Sequence, residues 1–110
     1  MNVAELIEKT GYTLMNPAVP LTREVTGGCC CDLLSWVMAS GQEGQAWVTV
    51  QTHMNVIAVA SLHEMACVIL PEGNTMEEAV LERATEEEIA VLGCSEPGYA
   101  ICCRLHDLGI

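Results

Sequence analysis

The sequence is poor in positive charge: four Lys and Arg stand against fifteen Asp and Glu, for a formal net charge of −11, and Lys9 is the only lysine. That balance excludes nucleic acid as a partner, because phosphate backbones are bound through clustered Lys and Arg. Long apolar runs are missing as well. The longest, around Val56–Leu62, falls far short of the ~18 residues a membrane helix needs, so no membrane association is expected. The first residues, Met1–Lys9, interleave Glu5 and Glu8 with apolar side chains and carry no basic leader segment. This argues against a signal peptide, and a cytoplasmic location is expected.

Several catalytic signatures are also absent. No Gly-rich loop precedes Lys9, no Gly-x-Ser-x-Gly elbow occurs, and His63-Glu64 lacks the second histidine of a zinc-peptidase helix. Walker-type kinase, α/β-hydrolase and that metallopeptidase chemistry are excluded on those grounds. The seven cysteines include no Cys-x-x-Cys pair. An odd number of thiols in a chain expected to be cytoplasmic argues against a disulfide framework.

What remains is a hydrophobic fraction of 51%, ample for one packed core, so residues 1–110 are expected to form a single domain. Residues 2–9 read as a short helix ended by Thr10-Gly11, and Tyr12–Met15 as a short strand. Asn16–Pro20 is a loop and Arg23–Thr26 an extended segment broken by Gly27-Gly28. From Cys29 to Ala39, apolar residues at positions 30, 33, 34, 37 and 38 follow helical spacing. Ala46–Gln51 is rich in strand formers. Met54–Glu64 is apolar on nearly all sides, as in a helix covered on two faces, with a subunit interface as a natural cover. The runs 66–71 and 89–94 suit buried parallel strands. Thr75–Glu88 reads as an acidic helix opened by a Thr75/Glu78 capping box, and Pro97–Leu108 as a last helix. Seven glutamates between Glu72 and Glu88 read as a solvated face, with docking of a basic protein partner as the alternative. Strand and helix alternate from residue 46 onward. The expected fold class is therefore α/β: a three-layer α/β/α sandwich on a mostly parallel sheet of four to five strands, the first strand antiparallel at an edge.

In such sheets ligands bind beyond the carboxyl ends of the strands. The sequence places Thr26-Gly27-Gly28, Gln51-Thr52-His53 with Asn55, Glu72-Gly73-Asn74 and Cys94-Ser95 at those ends. Two glycines before a helix would expose amide groups to an anion; a plain tight turn is the other reading. His53 could bind a ligand, donate a proton or cap a helix. Asp32 is expected in the first helical turn, complementing the dipole. Three successive cysteines on a helix point about 100° apart and cannot share one ion, so no metal and no cofactor is expected. Packing as small hydrophobes is one role for Cys29–Cys31, and a redox-sensitive thiol at the helix start is another.

The segment REVTGG, followed by DLLSWVMA and WVTVQTHMNVIAVASL, resembles the DRTGG domain family across roughly Leu6–Ile110. Arg23, Thr26, Gly27 and Gly28 match the naming motif, with Glu24 and Val25 between them. Such domains look like the N-terminal domain of HPr kinase/phosphorylase without the kinase domain. They also occur attached to phosphotransacetylase, beside CBS domains in pyrophosphatases and, free-standing, near iron-only hydrogenase genes. The resemblance implies a regulatory or ligand-sensing module, often oligomeric, with no catalytic activity. The expected function is non-catalytic sensing of a small anionic ligand, a nucleotide or phosphorylated metabolite, by Thr26, Gly27, Gly28, Thr52, His53 and Asn55. An accessory or redox-sensing role beside hydrogenase or other electron-transfer enzymes is one alternative; a structural dimerisation module is another. A homodimer or higher homo-oligomer is expected.

Overall fold

A computed structural model describes all residues, 1–110. The chain opens with α1 (Val3–Thr10). The Asn2 side chain accepts from the Glu5 N–H at 2.9 Å while the Glu5 carboxylate accepts from the Asn2 N–H at 3.2 Å, a reciprocal pair that satisfies amides a helix start leaves open. Gly11, at φ 73°, ends the helix in the left-handed conformation. There follow β1 (Thr13–Leu14), β2 (Gly27–Cys30), α2 (Leu34–Ser40), β3 (Gln45–Val48), α3 (Met54–Leu62), β4 (Cys67–Leu70), α4 (Glu78–Glu86), β5 (Ala90–Gly93) and α5 (Gly98–Asp107).

The five strands form one sheet in the order β1-β5-β4-β3-β2. β2 through β5 run parallel, and β1 pairs antiparallel with β5 at the edge. Each crossover from β2 to β5 moves one strand in the same direction, which puts α2, α3 and α4 on the same face. Strand side chains alternate between faces, and the core divides accordingly. Trp47, Val68, Leu70 and Val91 pack with Val37, Val56, Ile57, Val80 and Ala84 of those three helices. Ala46, Val48, Cys67, Ile69 and Leu92 pack with Val3 and Leu6 of α1 and Ile101 and Leu105 of α5. This is the three-layer sandwich the pattern predicts, with a five-stranded mixed sheet.

Buried Asn16 joins the loop after β1 to the sheet. Its Nδ2 donates to the Ile89 carbonyl at 2.8 Å, and its Oδ1 accepts from the Val91 N–H at 2.9 Å. Both ends of the amide are thus paired, as a buried polar side chain requires.

The structure corrects the reading of residues 27–39 at one point. Gly27–Cys30 is a strand, and the helix starts only at Leu34. Four residue pairs with β3, from Gly27–Gln45 to Cys30–Val48, outweigh the weak local preference of a Gly-Gly-Cys-Cys run. The apparent helical phase of positions 30 and 33 has no helix beneath it. A second correction concerns α4: its N-cap is Glu77, no side chain caps it, and the Thr75/Glu78 box does not form. In α3, Val56, Ile57, Val59 and Ala60 are buried while Met54, Asn55 and Ala58 are exposed. Sheet and flanking helices therefore cover it on one side only.

Candidate functional site

The carboxyl ends of β3 and β4 border a cavity of about 590 Å³ lined in part by Gln51, Thr52, His53, Thr75 and Glu77. Its position follows from the topology. β3 delivers the chain upward, Thr49–His53 turn it over, and α3 starts at Met54; on the next unit α4 starts at Glu78. The N-termini of two nine-residue helices therefore border one opening. At α3 the His53 Nδ1 accepts from the Asn55 N–H at 3.1 Å, so in the neutral ring the proton sits on Nε2, free to donate. No side chain caps α4, so its first-turn amides keep their donor capacity. His53 carries the cavity's only basic group and Glu77 its only carboxylate.

The turn after β3 is held from the loop that follows β2. Asp32 Oδ1 accepts from Thr49 Oγ1 and from the Val50 N–H, both at 2.9 Å, and the Gln51 side chain donates to the Asp32 carbonyl at 3.2 Å. Asp32 lies two residues before α2 rather than in its first turn. It joins two loops instead of complementing a helix dipole. Beside it, the Trp47 indole N–H donates to the Cys31 carbonyl at 2.8 Å.

Of the six residues expected to form the site, Thr52 and His53 line this cavity. Asn55 gives its backbone amide to His53, but its side chain faces an exposed groove between α2 and α3 with Leu34, Met38 and Ala58. Thr26, Gly27 and Gly28 are at the other end of the sheet, because Gly27 begins a strand parallel to β3 instead of ending one. Thr26 there serves the turn before β3: its N–H donates to the Gly44 carbonyl at 2.9 Å and its hydroxyl to the Glu43 carbonyl at 3.2 Å. The space around Thr26 is bordered by Glu24, Glu43 and Glu64 against the single cation Arg23, a setting that disfavours an anion. Gln51 and Thr75, outside those six, also line the cavity, with Val50, Met54, Glu77, Ala79 and Val80. A threonine three residues before a Glu-rich helix resembles an N-cap in sequence, which hides the cavity position of Thr75.

The cysteines separate as well. Cys29 and Cys31 pack toward the α2–α3–α4 face, whereas Cys30 and Cys102 border a small apolar pocket on the opposite face, whose rim Cys29 also reaches. Cys67 is fully buried, and burial pushes its thiol up to about 12. No three His, Cys, Asp or Glu side chains converge as a metal-ligand set.

No protein-family model matches this chain, and no curated protein does. A solved structure similar to it holds the CBS and DRTGG domains of the regulatory region of Clostridium perfringens pyrophosphatase, complexed with its activator, diadenosine tetraphosphate. The TM-score is 0.66 at 12% sequence identity, over 89% of this chain and 43% of the other. This chain thus spans less than half the length of that one. The likeness shows a DRTGG-like fold.

Proposed function

We propose that this protein is a regulatory, ligand-sensing module that binds a small phosphorylated ligand of the nucleotide class at the carboxyl ends of β3 and β4. The observation that carries the reading is the meeting of two helix N-termini with the free Nε2 of His53 and the hydroxyls of Thr52 and Thr75 at one cavity. Helix N-termini favour anions through their open amides and dipoles, so a phosphate can be held without lysine or arginine. Glu77 on the same lining suits the hydroxyls of a ribose better than a bare phosphate. The nucleotide activator of the structurally similar regulatory region supports the ligand class. No residue is assigned a catalytic role.

Thermal-shift measurements with adenine nucleotides, diadenosine tetraphosphate and inorganic phosphate test the proposal. Binding at a hundredfold excess over Kd stabilises by about 2.7 kcal/mol, a readily measured shift. His53→Ala is expected to abolish the shift and Gly28→Ala to leave it intact. The reverse pattern would move the ligand to the Thr26–Gly28 end, and no shift with any of these compounds overturns the reading.

A second copy of this chain is proposed as the partner. Neither α2 nor α3 carries a charged residue, and Trp36, Met38, Met54 and Leu62 are exposed on or beside them. For a chain of net charge −11, this uncharged face is where an equally acidic copy can approach with least repulsion.

A further inference from the structure

α5 packs across β2 and β3. A side chain grown on Gly28 would lie 3.9 Å from Leu105, and one on Gly98 would lie 3.9 Å from Val48. Gly28 and Cys30 project from the same face of the strand, since strand side chains alternate. Cys102 precedes Leu105 by three residues and so lies one turn back on the same helix face. Since Leu105 stands over Gly28, the helix running back along the strand brings Cys102 over Cys30. Both thiols border one apolar pocket of about 210 Å³, together with Gly28, Cys29, Val48, Leu105 and Ile110.

We propose that Cys30 and Cys102 form a dithiol pair that closes to a disulfide under a small disulfide oxidant, fastening α5 to the edge strand β2. In the first step one thiolate attacks the oxidant, which breaks the oxidant's S–S bond, forms a mixed disulfide and releases one small thiol. The partner thiolate then displaces the second small thiol as the protein S–S bond forms. The pair loses two electrons and two protons, and the oxidant leaves as two thiols. Burial first, and the neighbouring Cys102 thiol next, push the Cys30 thiol up to about 11, so closure quickens as pH rises. The remaining cysteines offer no equivalent partner. Cys29 borders the pocket too, but it packs with Cys31 toward the opposite face; Cys67 is fully buried, Cys94 follows β5, three strands away from β2, and Cys103 is exposed one position further along α5.

The test is incubation of the reduced protein with oxidised glutathione, followed by thiol blocking and peptide mapping without reductant. The expected product has lost two hydrogens, carries no glutathione and contains a Cys30–Cys102 cross-link. Cys103→Ser retains the cross-link; Cys30→Ser and Cys102→Ser each lose it and accumulate glutathione on the remaining thiol. The oxidised protein melts at a higher temperature than the reduced one, because the bond constrains the unfolded chain. A dominant cross-link between any other pair, or glutathione on both Cys30 and Cys102 without closure, overturns the proposal.

Discussion

Asp32 Oδ1 accepts a hydrogen bond from Thr49 Oγ1 at 2.9 Å, and Thr49 is almost completely buried. The same carboxylate oxygen holds the Val50 amide at 2.9 Å. One side chain on the loop after β2 thereby fixes the turn that carries Gln51, Thr52 and His53 into the candidate cavity.

Asp32→Ala leaves the Thr49 hydroxyl and the Val50 amide without their acceptor. An expected loss of about 1–3 kcal/mol follows from orphaning such groups, read from chemical denaturation. Asp32→Asn keeps a carbonyl oxygen in place and is expected to lose less. Combining Asp32→Ala with Thr49→Val should cost less than the sum of the single changes, since the two residues share one bond. Additivity would mean that the bond contributes nothing to the turn.

The glycines of the chain are unequal, and the difference runs against their prominence in the sequence. Gly44 sits at φ +79°, and a side chain there would collide with Thr26. Gly44→Ala is expected to destabilise by about 2 kcal/mol or more, from the left-handed backbone and the collision together. Gly28 has room for a methyl group at ordinary contact distance. Gly28→Ala is expected to melt within a few degrees of the parent, and equal melting temperatures for the two variants would contradict this distinction.

The same contrast explains how much could be read from the sequence. β3, β4 and β5 are legible because buried parallel strands are continuous apolar runs, and the alternation with helices implies the layers. The antiparallel edge strand is legible from its place before the alternation. β2 is not: Gly27-Gly28-Cys29-Cys30 has no strand propensity of its own, and its conformation comes from pairing with Gln45–Val48, a contact no local pattern encodes. Misplacing that strand by one element sends Thr26–Gly28 to the wrong end of the sheet and sets Cys29–Cys31 on a helix. The placement of Thr52 and His53 beyond the carboxyl end of β3 is legible because they follow a strand whose direction is clear. Asp32 as a loop brace, and the Cys30–Cys102 juxtaposition, depend on the same unread pairing.

Alkaline stability offers a separate check on the core. Burial pushes the Cys67 thiol, on β4, up to about 12 in the folded protein against an ordinary value near 9. Tyr12, raised to about 12 chiefly by burial and then by the charge of Glu96, behaves alike. A raised folded-state value means that the unfolded chain loses its proton first. Stability is therefore fully present below pH 9 and declines as pH rises through the window from 9 to 12. One such group contributes a slope of about 1.4 kcal/mol per pH unit within its window. Denaturation series at rising pH should show this decline, and Cys67→Ala should make it shallower. An unchanged slope in that variant would remove the thiol as a cause.

The uncharged α2–α3 face bears on assembly. Trp36 is 64% exposed and Leu62 65% exposed, large apolar surfaces that a second copy would cover. Light scattering at micromolar concentration is expected to give twice the chain mass for the parent protein. Trp36→Lys places a cation in the middle of that face, at a position whose side chain contributes little to the monomer's core, and is expected to shift the mass to that of one chain while leaving the melting profile of the fold cooperative. Leu62→Lys should act in the same direction. A monomeric parent at the same concentration, or a dimer that survives both changes, would place self-association elsewhere or remove it. Raising the salt concentration supplies an independent reading. Two chains of net charge −11 repel, and screening of that repulsion should tighten a dimer held by apolar contact, whereas a dimer held by ion pairs would loosen.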